Sequence, residues 1–310
     1  MKICVQSGGI VEHIGAEKCY DLIEKAGFGG IDWNAVEHAC PYSTIADPSA
    51  WEKCIYLRPL EEVLAYFEPE IRLIRSHGLT ISQAHAPFPA YIPGVPGVLE
   101  YMVGIYKRVI EVCDYAGCRN VIIHGISYDG IDAHGTPEGV MAMNDYLYES
   151  LIPTLQRCNV TVCLENLFTS RDGKLAAGIC CDPQEAAAYV DALNEKAGKE
   201  AFGLCLDIGH LHLVNGDVER YTAVMGSRIK CLHIHDNDGI SDNHLAPMAG
   251  RIRWKQFCSA LHAVGYAGDL SFETFAQSRA ALAVNEAMLL PSLQYVCAIG
   301  ENFRSQIQQE

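Results

Sequence analysis

Short apolar runs punctuate this chain, and six of them end on a residue type that binds metals. They read Ile81-Ser82-Gln83-Ala84-His85, Val121-Ile122-Ile123-His124, Val162-Cys163-Leu164-Glu165, Leu204-Cys205-Leu206-Asp207, Cys231-Leu232-His233-Ile234-His235 and Leu270-Ser271-Phe272-Glu273. Runs this short that are largely continuous rather than alternating fit strands buried on both faces. Each is followed by a loop and then by a stretch of helical periodicity. The alternation repeats eight times, with strands starting near Lys2, Gly30, Leu79, Asn120, Val160, Gly203, Ile229 and Asp269. Helices are expected over Ala16–Ala26, Leu60–His77, Val98–Ala116, Pro137–Cys158, Asp182–Ala197, Val218–Met225, Trp254–Val264 and Ser278–Ile299. Gly27, Gly78 and Gly117 stand where helix ends favour a left-handed residue, and Pro137 and Pro183 where a first helical turn begins.

Eight strand–helix units predict a (β/α)8 TIM barrel, as one domain over residues 1–310. In such a barrel all the strand ends meet at one mouth, so the six metal-binding residue types converge. The competing architecture is an open doubly wound sheet. It requires a G-x-G-x-x-G loop after the first strand, and Ser7-Gly8-Gly9-Ile10-Val11 lacks it. Two long loops, residues 35–58 and 86–97, follow the second and third strands and are expected to shape the mouth.

Composition narrows the function classes. At 310 residues and 49% hydrophobic content the chain can bury a full core. No apolar run approaches the ~20 residues that span a bilayer. The first residues read as a strand rather than a signal peptide. None of the 14 cysteines forms a C-x-x-C pair, and Cys4, Cys113, Cys163, Cys205 and Cys231 lie inside apolar runs, which suits small core hydrophobes in a reducing cytoplasm. The formal charge of −15, with no basic stripe, disfavours nucleic acid as a partner. A homo-oligomer is compatible with everything above.

Each candidate residue also has a structural alternative. Glu165 and Glu273 could cap helices or sit in structural ion pairs, but a carboxylate at a buried strand end needs some partner. Asp207 with His210 could ligate or orient around a common ion. His212, further from its strand, is expected to be packed or solvated. His233 and His235 share a strand face. His235 is expected as the outer ligand and His233 as a satisfied core histidine beneath it. His85 and His124 are open between ligand, substrate contact and structural residue. Asp242 and His244, on the loop after the seventh strand, could bind a second ion, touch substrate or cap local structure.

The ordered set Leu164-Glu165-Asn166, Asp207-x-x-His210, His233-x-His235, His244-x-x-Pro247-x-x-Gly250-x-Ile252-x-Trp254 and Phe272-Glu273-Thr274 resembles the xylose-isomerase-like barrel superfamily. That superfamily contains sugar isomerases, 3-epimerases of the tagatose/psicose type, inosose dehydratases and isomerases, and AP endonucleases of the endonuclease IV type. The resemblance implies a metal held by Glu165, Asp207, His235 and Glu273, the two Glu serving as acid and base, and His210 on the substrate. It implies a divalent ion: Mn²⁺ first, with Co²⁺, Mg²⁺ or Zn²⁺ acceptable to an oxygen-rich site. The expected activity is isomerisation or epimerisation of a ketose or related polyhydroxy ketone through an enediolate, with dehydration of an inosose or sugar derivative as the alternative. His85, His124, His210, Asp242 and His244 are then expected around the substrate. The endonuclease branch uses those same five residues, with the core four, to hold three ions. They are all present, and the net charge is what disfavours that branch. Ketose 3-epimerases carry an Arg six residues past the metal-binding His, where this chain has Ser241; Arg251 or Arg253 is the candidate substitute.

Overall fold

The computed structural model describes residues 1–128, 136–171 and 173–308. Its strands are β1 (Ile3–Gln6), β2 (Gly30–Trp33), β3 (Thr80–His85), β4 (Asn120–Ile122), β5 (Thr161–Glu165), β6 (Phe168–Arg171), β7 (Lys174–Ala177), β8 (Phe202–Asp207), β9 (Ile229–His233) and β10 (Leu270–Phe272). Eight of them form one sheet in the order β10-β1-β2-β3-β4-β5-β8-β9, and every pairing in it is parallel. Just past β9, Ile234 bridges Phe272 of β10. The Ile234 N–H donates to the Ser271 carbonyl at 2.9 Å, and the Glu273 N–H donates to the Ile234 carbonyl at 3.1 Å. The ring is thereby closed as a (β/α)8 TIM barrel, and the open sheet is excluded.

The main helices are α1 (Ala16–Ala26), α2 (Leu60–Ser76), α3 (Val98–Ala116), α4 (Pro137–Glu149), α5 (Pro183–Ala197), α6 (Ile208–Leu213), α7 (Val218–Met225), α8 (Trp254–Ala263), α9 (Phe275–Val284) and α10 (Leu289–Ile307). Their inner faces follow the helical repeat. On α3, Met102, Tyr106, Val109 and Cys113 are all fully buried, and burying side chains of this size contributes about 1.5–3 kcal/mol each. None of the helices is long and apolar enough to cross a membrane among the described residues.

The structure departs from the expected elements in three places. The helix expected over 137–158 ends at Glu149 and restarts as a short turn, Ile152–Leu155, because Pro153 has no N–H to continue the ladder. The helix expected over 278–299 is two helices. Between them the Asn285 side chain accepts from the Ala287 N–H at 2.9 Å and caps a tight turn. The antiparallel β6–β7 hairpin was not expected. Its signal was the Asp-Gly pair at 172–173, a favoured two-residue hairpin turn.

One layer beneath the mouth, Cys163, Cys205 and Cys231 pack with Ile122 as a cluster of their own. They lie two residues before Glu165, Asp207 and His233, so strand alternation places them under those side chains. Burial pushes all three thiols well above the ordinary range. They act as small neutral fillers. All the cysteines are free and buried.

The loop after β9 is tied down by one carboxylate. Asp236, fully buried, accepts from the Asn237, Met248 and Ile252 N–H groups at 2.9, 2.9 and 3.1 Å and from the Trp254 indole at 3.0 Å. A Cβ on Gly250 would lie 2.3 Å from the Asp236 Oδ1 and from the Asn237 carbonyl oxygen, so only glycine fits there. This knot accounts for the Gly250-x-Ile252-x-Trp254 spacing. Asp236→Ala should orphan several of these donors at about 1–3 kcal/mol each, a fall of roughly 6 °C or more in melting temperature. Thermal melts followed by circular dichroism check this; a melt within 2 °C of the wild type, roughly the effect of a single small change, would refute it.

Candidate active site

At the C-terminal ends of the strands, the side chains that close the apolar runs meet. Glu165, the last residue of β5, is the hub. Its Oε2 lies 2.8 Å from His124 Nε2, and its Oε1 lies 3.1 Å from His233 Nδ1 and 3.2 Å from His210 Nδ1. His124 in turn faces His85, with 2.9 Å between their Nε2 atoms. Asp207, at the end of β8, is fully buried and caps α6 by accepting from the His210 N–H at 2.6 Å. Asn166 locks it in place, donating to the Asp207 carbonyl at 2.8 Å and accepting from its N–H at 2.9 Å. The free Asp207 Oδ2 lies 3.0 Å from His235 Nε2.

His233 is buried, as expected of the layer beneath His235, but its Nε2 has no hydrogen-bond partner. It is the imidazole that lies among the carboxylates. Its Nδ1 faces Glu165 and, at 3.8 Å, Asp207; its Nε2 lies 3.5 Å from Glu273 and 3.3 Å from Asp32. The reason is register. β9 ends at His233, which pairs with Asp207, so His233 is the residue level with the other strand ends. His235 lies past the strand, flat against His244, with ring centres 4.0 Å apart and planes 14° off parallel. His244 Nε2 lies 3.0 Å from Asp242, and Asp242 lies 3.5 Å from His210. The structure therefore brings Glu165, Asp207, His235, Glu273, His85, His124, His210, Asp242 and His244 to one mouth.

Arg251 is not brought there. Its side chain is exposed and, among the described residues, bonds none of these groups. It lines a separate cavity of about 380 Å³ with His212, Asp217 and Arg253. The Arg251 backbone is fixed by its N–H, which donates to the Asn237 carbonyl at 2.9 Å. Asp32 was absent from the expected set. Its Oδ2 also accepts from the Gln83 amide at 2.7 Å. The signal was available, since Gly30-Ile31-Asp32 is another buried run ending on a carboxylate.

So many carboxylates in one buried pocket must be balanced, and the imidazoles balance them. Burial alone would raise Glu165, but His233 and His124 outweigh it and hold its carboxyl well below the usual range. Burial dominates at Glu273, only partly offset by His233 and His244, and pushes it up to about 8. Burial disfavours the charged form of His233 and of His210, yet the surrounding carboxylates raise both well above the ordinary histidine range. His85, by contrast, is driven well below it by burial and by the neighbouring His124. Two carboxyls held at different protonation is the arrangement an acid–base pair requires.

The same donors fit a divalent ion. Five trios bring ligand atoms within 4.8 Å of one another: His85/His124/Glu165, Asp207/His210/His235, His235/His244/Glu273, Asp32/His233/Glu273 and Glu165/Asp207/His233. Asp32 Oδ1, His233 Nε2, His235 Nδ1 and Asp242 Oδ1 are buried there with no hydrogen-bond partner. Orphaned polar atoms are costly in a protein interior, and a cation would satisfy those facing it. Gly209 makes room for one donor: a Cβ there would lie 2.0 Å from His235 Cε1. Gly209→Ala should therefore displace His235, lowering ion affinity about 10–100-fold and, by overpacking a buried site, costing about 1–3 kcal/mol of stability. Calorimetric Mn²⁺ titration at wild-type strength would refute this.

The sequence profile of the Xylose isomerase-like TIM barrel matches residues 21–293. The chain belongs to that family. The chain is 23% identical over 265 residues to the uncharacterized protein y4fM of Sinorhizobium fredii, covering 84% of this chain and 81% of that one. Solved structures of similar fold include a D-tagatose 3-epimerase-like protein, 18% identical with a TM-score of 0.67, covering 97% of this chain and 99% of that one. The 3-keto-D-glucoside 4-epimerase YcjR of E. coli is 15% identical with a TM-score of 0.66, covering 96% and 99%. The IolI protein, solved with a zinc atom, is 16% identical with a TM-score of 0.63, covering 99% and 98%. At these identities the likeness is one of fold.

Proposed function

We propose that this family member is a divalent-metal-dependent isomerase or epimerase of a small polyhydroxy ketone, with Glu165 and Glu273 as acid and base. The reading rests on one piece of geometry. The two carboxylates lie at opposite nitrogens of a single imidazole, Glu165 3.1 Å from His233 Nδ1 and Glu273 3.5 Å from His233 Nε2. A ketone held above that imidazole has a carboxyl on either side. One carboxyl removes the proton from the carbon next to the carbonyl, giving an enediolate, and the other returns a proton to the opposite face. Each such transfer contributes about 10²–10⁴-fold. Glu165, Asp207 and Glu273, with His233 and His235 at their edge, are the residues that would hold the ion, Mn²⁺ being the first choice for an oxygen-rich set. Bound there, the ion would supply Lewis-acid polarisation of the carbonyl and an adjacent hydroxyl. His85, His124, His210, Asp242 and His244 are left to position hydroxyl groups.

The proteins of similar fold support this reading, since two of those above are epimerases or epimerase-like and a third carries zinc. A lyase that expels a leaving group from the same enediolate uses the same residues, and product analysis separates the two. The test is a screen of free ketoses, inososes and keto-glycosides with Mn²⁺ in D₂O, read by NMR. Deuterium is expected at the carbon beside the carbonyl. No exchange into any of them, with an ion bound to each chain, would overturn the proposal.

The imidazole trios around the central carboxylates also match an endonuclease with three ions. Charge favours the sugar reading. At −15 overall, the chain should show no binding to abasic duplex at physiological salt, where even non-specific DNA binders reach about 10⁻⁴–10⁻⁶ M. Fluorescence anisotropy with labelled duplex checks this, and tight binding with incision would favour the endonuclease.

A further inference from the structure

The segment that follows β2 is closed off by two cysteines. Cys40 and Cys54 are both buried, and their thiols hydrogen-bond each other. The Tyr101 hydroxyl, on α3, lies 3.7 Å from the Cys40 sulfur and also hydrogen-bonds the Cys54 sulfur. Between the two cysteines run two short helical turns, Tyr42–Ile45 and Pro48–Lys53. Of residues 41–53 only Ile45 is buried. Trp51 fastens the segment. Its ring stacks on Tyr101 with centres 4.3 Å apart and planes 7° off parallel, and its indole N–H donates to the Ile45 carbonyl at 3.2 Å. A segment with so little apolar burial opens at lower cost than the barrel beneath it.

The two thiols are chemically unequal. The hydrogen bond from Cys40 outweighs burial and holds the Cys54 thiol below the ordinary range, helped by the Tyr101 hydroxyl and the Tyr56 backbone. The same hydrogen bond, together with burial, pushes Cys40 far up. A thiol held toward its thiolate beside a protonated partner is the pattern of an attacking and a resolving cysteine. Cys163, Cys205 and Cys231 also touch one another, but there burial dominates and keeps all three protonated.

We infer that Cys40 and Cys54 are a site of reversible oxidation, at which a small peroxide converts the two thiols into a disulfide that clamps residues 41–53. The Cys54 thiolate attacks one peroxide oxygen. The O–O bond breaks, hydroxide leaves and takes up the proton that Cys54 released, and the sulfur, oxidised by two electrons, becomes a sulfenic acid. The Cys40 sulfur then attacks the Cys54 sulfur. The S–O bond breaks, and hydroxide leaves with the Cys40 proton as water. Two thiols and one hydrogen peroxide thus give one disulfide and two waters. The clamp bears on the mouth: the Cys40 N–H donates to the Glu37 carbonyl at 3.1 Å, and the Glu37 carboxylate lies 3.9 Å from His85 Nδ1. The inference does not depend on which reaction the mouth performs.

The test treats the full chain with a small excess of hydrogen peroxide, alkylates the remaining thiols in denaturant and maps the peptides by mass spectrometry. A Cys40–Cys54 disulfide is expected before any other cysteine is oxidised, and dithiothreitol should remove it. Closing a ring of 15 residues should raise the melting temperature by roughly 4 °C or more. It should also slow amide hydrogen exchange across residues 41–53. Cys40→Ser should leave Cys54 as a sulfenic acid that dimedone labels, whereas Cys54→Ser should leave Cys40 unlabelled. Cys40→Ala and Cys54→Ala repeat the comparison without a buried hydroxyl, with melts confirming the fold. Peroxide oxidation spread over the other cysteines without this bridge would overturn the site. Dimedone on Cys40 rather than Cys54 would overturn the assigned roles, and an unchanged melt and unchanged exchange in the bridged protein would overturn the clamp.

Discussion

Glu165→Gln and Glu273→Gln should each lower turnover by at least about 10²–10⁴-fold, with the right ketone in hand. Gln keeps the shape of Glu, so the barrel should still close and melt normally. What it loses is the ability to accept a proton and a full negative charge beside the ion. The two losses should differ in their side effects. At Glu165 the carboxylate is the common partner of His124, His210 and His233, and those imidazoles outweigh burial and hold it ionised. Removing its charge leaves three imidazoles without their anchor, so Glu165→Gln should also loosen the ion. At Glu273 burial already favours the neutral form, so the amide resembles the existing state more closely and stability should change less. Steady-state rates with ion content measured on the same samples check both claims. Near-normal turnover in either variant would end the paired-carboxyl mechanism.

The strand ends were legible because each buried apolar run stopped at a residue that would be costly to bury alone. A Glu after Val162-Cys163-Leu164, or an Asp after Leu204-Cys205-Leu206, implies a partner, and a closed barrel brings those partners together. Less legible was where a strand stops. His233 and His235 satisfy the same period-two pattern, and nothing in Cys231-Leu232-His233-Ile234-His235 says that pairing with β8 ends at His233 while Ile234 swings across to β10. The choice between the two imidazoles is set by neighbouring strands far away in sequence. Arg251 failed for a related reason. Its position relative to the mouth is decided by the Asp236 knot, whose acceptor is separated from its donors by up to 18 residues. A motif spacing records that the knot exists without showing which side of it a side chain faces.

The choice between the two histidines of β9 can be settled by metal retention. His233 faces Glu165, Asp207 and Glu273 at once, and its Nε2 is buried without a hydrogen-bond partner. His235 reaches Asp207 and stacks on His244. If His233 is a ligand of the central ion, His233→Ala should cost more than the ~10–100-fold in affinity that follows loss of a residue which only orients a ligand. His235→Ala should then fall inside that range. The reverse order would place the ion nearer Asp207, His235 and Glu273, as the resemblance of the motifs implies. Competition for Mn²⁺ against a fluorescent chelator measures both constants. A conservative control distinguishes ligation from packing. His233→Asn offers a neutral donor atom of smaller size and should recover little ion affinity, whereas a residue needed only to fill space would be replaced well by Leu. Two variants that keep wild-type affinity would remove both imidazoles from the ligand set and leave the carboxylates to hold the ion alone.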